Sequence, residues 1–191
     1  FRSAERATTP QLRATMLREL GDVKRSELQD AAAAIRAYEA ALLANPTEAL
    51  ATKGLVALAD VEEHRPEALR VLLAAYAWAD DWQATLKLTE HRLEAAQDDA
   101  RRVMILVESA QIAEQRARDL TLAIEHVRRA FALAPADREL EAQLFRLTER
   151  TDSWREYAEV HRRAIDATGG DEARDPVLSA RLRLRLGEAL E

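Results

Sequence analysis

The sequence predicts an all-α chain of about ten helices, built from repeated helical hairpins, and three observations carry that expectation. Ala, Leu, Arg and Glu, all good helix formers, dominate the 191 residues. Alternating runs of Val, Ile, Thr and aromatic residues, the usual mark of a strand, are nearly absent. The chain also matches itself at three separate offsets, each in register with helical periodicity. With 48% hydrophobic residues and only five Gly and five Pro, it can bury enough apolar surface to offset the entropy of folding.

The first match spans 89 residues, from Asp30 to Asp119. It lays Ala34-Ile35 on Ala123-Ile124, Ala41 on Ala130 and Pro46 on Pro135. Each copy reads as one helix with an Asp N-cap, apolar residues at helical spacing and a Pro stop. Its small Ala residues let a neighbouring helix approach closely, with Tyr38 or Leu42 filling the gap beside them. The second match spans 72 residues, from Trp82 to Trp154, and also lays Leu72, Leu93 and Ala95 on Leu144, Ile165 and Ala167. In both copies a short polar turn, Asp80-Asp81 or Asp152-Ser153, precedes the helix that Trp opens. The third lays Pro10, Leu12, Ala14, Met16 and Leu20-Gly21 on Pro176, Leu178, Ala180, Leu182 and Leu186-Gly187.

Helices are accordingly expected near 10–26, 30–44, 47–60, 66–79, 81–97, 99–115, 119–133, 137–149, 153–168 and 176–191. The repeat units fall at about 10–98 and 99–175, with the first carrying an extra short helix from Thr47 to about Glu63. Gly169-Gly170 and the stretch to Pro176 read as a hinge. The tail from Ala180 to Gly187 alternates like a strand, but Leu178, Leu182 and Ala189 share a helical face, so helix is favoured. Residues 176–191 then open a third unit without its second helix. The expected architecture is one array over 1–191, an excerpt of a longer one.

Composition bears on function too. The formal net charge of −6 leaves no basic footprint for nucleic acid. Arg101-Arg102, Arg128-Arg129 and Arg162-Arg163 have acidic neighbours and read as solvated helix faces. Cysteine is absent, which removes disulfides, thiolate metal sites and a Cys nucleophile. That fits a reducing or an oxidising compartment, with the cytoplasm favoured over the periplasm. No apolar run approaches the ~20 residues of a membrane span. His64, His91, His126 and His161 are scattered, so they are expected at the surface or in a groove and not on a metal. Glu19 and Glu39 are expected to face solvent or pair with a nearby Arg on their own helix. No acid–base pair, nucleophile or phosphate loop emerges, so the chain is read as non-enzymatic and without a cofactor.

The pattern Ala34-x3-Tyr38-x2-Ala41-x4-Pro46, preceded by Leu20-Gly21, resembles the tetratricopeptide repeat. The spacing from Leu-Gly to Ala is one residue longer than the family pattern. The second copy keeps Ala123, Ala130 and Pro135 but has Ser109-Ala110 for Leu-Gly and Val127 for the aromatic. Arrays of this Ala-, Leu- and Arg-rich kind resemble those of long bacterial repeat proteins.

The resemblance implies a right-handed α-solenoid whose first helices line a groove for peptides or protein segments. The groove positions it implies are Thr15, Arg18, Asp22 and Arg25, then Met104, Val107, Gln111 and Glu114. The Asn that grips a terminal carboxylate in one subset of the family is missing, so that mode is not expected. Met104 and Val107 have an equal alternative as core residues. Trp82 and Trp154 share a position and are expected to pack, whereas Trp78 has no counterpart, Arg150 standing in its place, and is a candidate partner anchor. The leading expectation is a protein–protein interaction scaffold. The alternative is a regulatory or sensor repeat domain of a larger signalling or transcription-control protein.

Overall fold

The computed structural model describes residues 9–169 and 176–188, and these form helices joined by short turns. Eleven α-helices are present among the described residues. The chain divides into two compact units at Ala95–Ala96.

The first unit holds α1 (Pro10–Ser26), α2 (Ala31–Ala44), α3 (Ala49–Ala59), α4 (Arg65–Trp78), α5 (Trp82–Lys87) and α6 (Thr89–Glu94). The start of α1 is set by Thr9, whose hydroxyl accepts from the Leu12 N–H, with Pro10 at the first helical position. Asp30 caps α2 by accepting from the Ala33 N–H at 2.9 Å, as its sequence position predicts. Beyond the Asn45 C-cap, Pro46 has no N–H with which to continue the helix. The expected helix over 81–97 is broken at Leu88 into α5 and α6. At Leu88 the backbone ψ swings to 1° and its N–H bonds the Thr85 carbonyl at 3.1 Å, while the Thr89 hydroxyl donates to the Leu86 carbonyl at 2.7 Å.

Neighbouring helices of this unit pack α1 on α2, α2 on α3 and α3 on α4. Their core gathers Leu17, Ile35, Tyr38, Leu42, Leu55 and Leu72. Its tightest point is the Tyr38 ring, fully buried between two glycines on different helices. A Cβ added at Gly21 of α1 would stand 2.5 Å from the ring, and one added at Gly54 of α3 would also stand 2.5 Å from it. Both glycines are therefore required by close approach. Ala34, Ala37 and Ala41 on α2 are fully buried for the same reason, being small enough to let helices close on them.

The second unit holds α7 (Asp99–Ile112), a π turn (Ala113–Ala117), α8 (Leu120–Leu133), α9 (Arg138–Thr151), α10 (Trp154–Gly169) and α11 (Pro176–Glu188). Asp98, Asp119 and Asp137 cap α7, α8 and α9 through backbone N–H groups. α7 packs on α8, α8 on α9, and α10 on α11. Val127, Phe131, Leu144, Leu147, Tyr157 and Leu182 are fully buried. The tail is helical, as its match to α1 requires. The hinge expected after Gly169 lies outside the described residues.

The backbone repeats along with the sequence. Gln29 and Arg118, 89 residues apart, have φ of 50° and 56°. Asp80 and Asp152, 72 residues apart, have φ of 51° and 54°. All four stand at or just beyond a helical C-terminus, where a left-handed residue ends the helix and Gly is the usual choice. These non-glycine residues occur at the two offsets found in the sequence, so the matched segments share backbone conformation as well as residue type. The chain is all-α and repeat-like.

Candidate functional site

The expected groove residues of α1 stand over Tyr38. The Tyr38 hydroxyl donates to Asp22 Oδ1 at 2.7 Å, and Arg18 Nη1 donates to Asp22 Oδ2 at 2.7 Å. Arg25 Nε donates to the Tyr38 oxygen at 3.3 Å. Burial opposes ionisation of Asp22, but the hydrogen bonds from Arg18 and Tyr38 outweigh it and hold its carboxyl below the usual range. Burial and the bond to Asp22 push the Tyr38 phenol up. Arg18, Asp22 and Arg25 thus fix the ring that joins α1, α2 and α3. The Thr15 hydroxyl turns back to the Gln11 carbonyl.

On the second unit Met104 is 61% exposed, Val107 is half-buried and Gln111 is exposed. The core alternative therefore does not describe Met104. Glu114, in the π turn, accepts two bonds from Arg146, at 2.6 and 2.7 Å, and one from Arg150. Its carboxyl is held below the usual range, chiefly by Arg146. The Arg150 that matches Trp78 in the repeat is consequently an internal ion-pair partner.

Trp78 is different. It is the last residue of α4 and 73% exposed, and it faces Leu43 of α2, itself 82% exposed, across a cleft of about 230 Å³. Pro46, Val71, Ala74 and Glu39 also line that cleft. Its floor is core, since Leu42 and Val71 are buried. Two large apolar side chains stand in solvent over an apolar depression, an arrangement that burial alone disfavours. Repeat packing does not require it either. At the offset of 89, Glu39 and Leu43 fall on Arg128 and Ala132, which line a charged cleft with Glu156, Glu159 and Arg163. The sequence pointed to Trp78 by its missing counterpart. It did not point to Leu43, because adjacent helical residues such as Ala41 and Leu42 are often buried together, and an apolar doublet does not reveal which member faces solvent.

The expectation that histidines lie at the surface or in a groove fails for two of the four. His126 and His161 are buried, and His161 is fully enclosed. Its ring stacks on Tyr157 at 4.1 Å between centroids and lies 4.8 Å from Phe131. Its Nδ1 donates to the Tyr157 carbonyl at 3.0 Å, which leaves Nε2 facing Glu141 Oε1 at 3.8 Å. Glu141 is itself buried and meets Arg181 of α11 at 3.1 Å. Burial pushes the imidazole down, against the opposing pull of the Tyr157 carbonyl and of Glu141. An apolar aromatic pocket on α8 and α10 holds this ring, and no single-helix pattern shows it. Glu39 also departs from expectation. It pairs with Arg70 of α4 at 3.0 Å instead of within its own helix.

Trp154 packs as expected, edge-on to Phe145 and Tyr157. Among the described residues no group of three or more His, Asp or Glu is placed to hold a metal. No described helix is long and apolar enough to cross a membrane. No protein-family model and no curated protein sequence matches the chain.

Proposed function

We propose that the chain is a protein–protein interaction scaffold, a tetratricopeptide-like right-handed α-solenoid that binds a polypeptide segment and performs no chemistry. The observation that carries this reading is the cleft between Leu43 and Trp78. Exposed aromatic anchors beside a preformed apolar depression are the usual form of an interaction hot spot. At about 230 Å³ the cleft is smaller than the ~300–1,000 Å³ typical of small-ligand pockets. It exceeds the ~150 Å³ cavity that takes a benzene ring, so one large side chain of a partner fits.

Support for the tetratricopeptide reading comes from the Gly21–Tyr38 contact, which joins the Leu-Gly helix to the aromatic helix. The groove residues that the resemblance implies, Arg18, Asp22 and Arg25, are engaged in holding Tyr38. The principal contact is therefore assigned to the Leu43–Trp78 cleft. Met104, Val107 and Gln111 of α7 remain proposed secondary contacts.

Leu43→Gln puts a polar amide into this cleft without touching a buried residue and without adding charge at the end of α2. Its effect on stability should stay within about 0.5 kcal/mol, as for other surface positions. Affinity capture with the wild-type chain and with this variant should recover a polypeptide that only the wild type retains. Identical recovery by the two proteins, at matched melting temperatures, would reject the cleft as the binding site.

A further inference from the structure

We infer that the segment docking between Leu43 and Trp78 is cationic as well as apolar: one large apolar side chain enters the cleft, and a Lys or Arg within a turn of it rests on the rim. This deepens the scaffold reading and rests on it. The apolar half follows from the lining already described. The cationic half comes from the charges around it. Among the described residues, Glu39 is the sole charged one lining the cleft. Its partner Arg70 is shared with Glu67, at 3.0 and 2.7 Å, so two carboxylates surround one guanidinium and a negative charge is left over.

The helix ends add to this. Leu43 lies in the last turn of α2, and Trp78 ends α4, so the cleft runs toward the C-termini of two adjacent helices. Each C-terminus carries roughly half a negative charge from its aligned peptide dipoles. Lys, Arg or His usually occupies the last turn and offsets it, yet neither α2 nor α4 has a basic residue there. The turn that follows Trp78 is Asp80-Asp81. No described lining residue is Lys or Arg, and Arg70 beside Glu39 is outnumbered by the two carboxylates it serves, so a cation brought by a partner would meet a net negative surround. It could also lie over the exposed indole face, where a cation is attracted by the ring quadrupole.

Three synthetic helical peptides test this against the full chain. The first has a Leu/Phe face flanked by Lys, the second replaces each Lys with Glu, and the third keeps Lys but replaces the apolar face with Ser. Binding is followed by NMR at the Leu43 methyls and the Trp78 indole N–H. The Lys peptide with the apolar face should shift both signals saturably and bind at least tenfold tighter than the Glu peptide. That preference should shrink severalfold between 50 and 300 mM salt. Trp78→Ala should weaken it at least tenfold, and the Ser peptide should leave both signals in place. Equal affinity of the Lys and Glu peptides at the cleft would overturn the charge preference and leave polypeptide docking intact. Failure of both apolar peptides to shift either signal would overturn docking at the cleft as well.

Discussion

Replacing Gly21 with Ala places a methyl group inside the Tyr38 ring. The added Cβ would lie 2.5 Å from Cε1 and 2.7 Å from Cδ1, against the ~3.5–4.0 Å of ordinary carbon contacts. The ring has no room to retreat. Its far side is closed by Gly54, and its hydroxyl is bound to Asp22. Helix α1 must move instead. Overpacking of this kind costs about 1–3 kcal/mol, and confinement from both sides puts it near 3. Ala in a helix regains about 1 kcal/mol over Gly, so the net loss is about 2 kcal/mol.

The repeat supplies the compensating pair, because the positions matching Gly21 and Tyr38 hold Ala110 and Val127, both fully buried. Tyr38→Val alone should cost about 3 kcal/mol through the cavity it leaves. Gly21→Ala with Tyr38→Val removes the clash, so the double variant should lose about 2 kcal/mol instead of the 5 expected by addition. Urea unfolding of the four proteins measures this directly. Gly187→Ala is the internal control, since nothing lies within 4 Å of its added Cβ, and it should be neutral or slightly stabilising. If Gly21→Ala behaves like Gly187→Ala, the ring is not clamped and the packing described for α1, α2 and α3 is wrong.

Other expectations concern the second unit and the helix ends. The His161 imidazole is held below its ordinary 6.5 by burial, so the folded chain binds fewer protons than the unfolded chain just below that pH. Its contribution to stability is full above pH 6.5 and declines as pH falls through the window below, with a slope of at most about 1.4 kcal/mol per pH unit. Thermal melts of the parent and His161→Phe between pH 5 and 8 should show that slope reduced in the variant; parallel curves would mean His161 does not titrate there. Arg118 has φ of 56°, so Arg118→Gly should relieve about 1 kcal/mol of left-handed strain and raise the melting temperature. Ala130 is fully buried, and Ala130→Leu should cost about 1–3 kcal/mol, with an unchanged melt placing it at the surface.

Helix positions were legible because their signals are local. Asp caps, Pro stops and the 3.6-residue period act within one or two turns, and Asp30, Asp119 and Pro46 all behave as their positions imply. The break at Leu88 was not legible, because it is one residue's departure from helical ψ within an otherwise helical run. The buried His161–Glu141–Arg181 group was hidden for a different reason. Its members lie on α10, α9 and α11, and each looks like an ordinary surface residue on its own helix. Tyr38 was expected to fill a gap, but its clamping by Gly54 needed the placement of α3. Trp78 was visible as a residue the repeat does not explain, whereas Leu43 became visible only once the cleft was formed.

The most direct test of polypeptide binding at this cleft is site-specific photo-crosslinking in the source cells. A photoreactive residue is placed at Leu43 in one protein and, in a second, at Leu50, which is 53% exposed in the same unit but does not line the cleft. Adducts with a polypeptide at position 43, absent at position 50 and suppressed by Trp78→Ala, are the predicted result. Equal adducts at the two positions, or none at position 43, would contradict it.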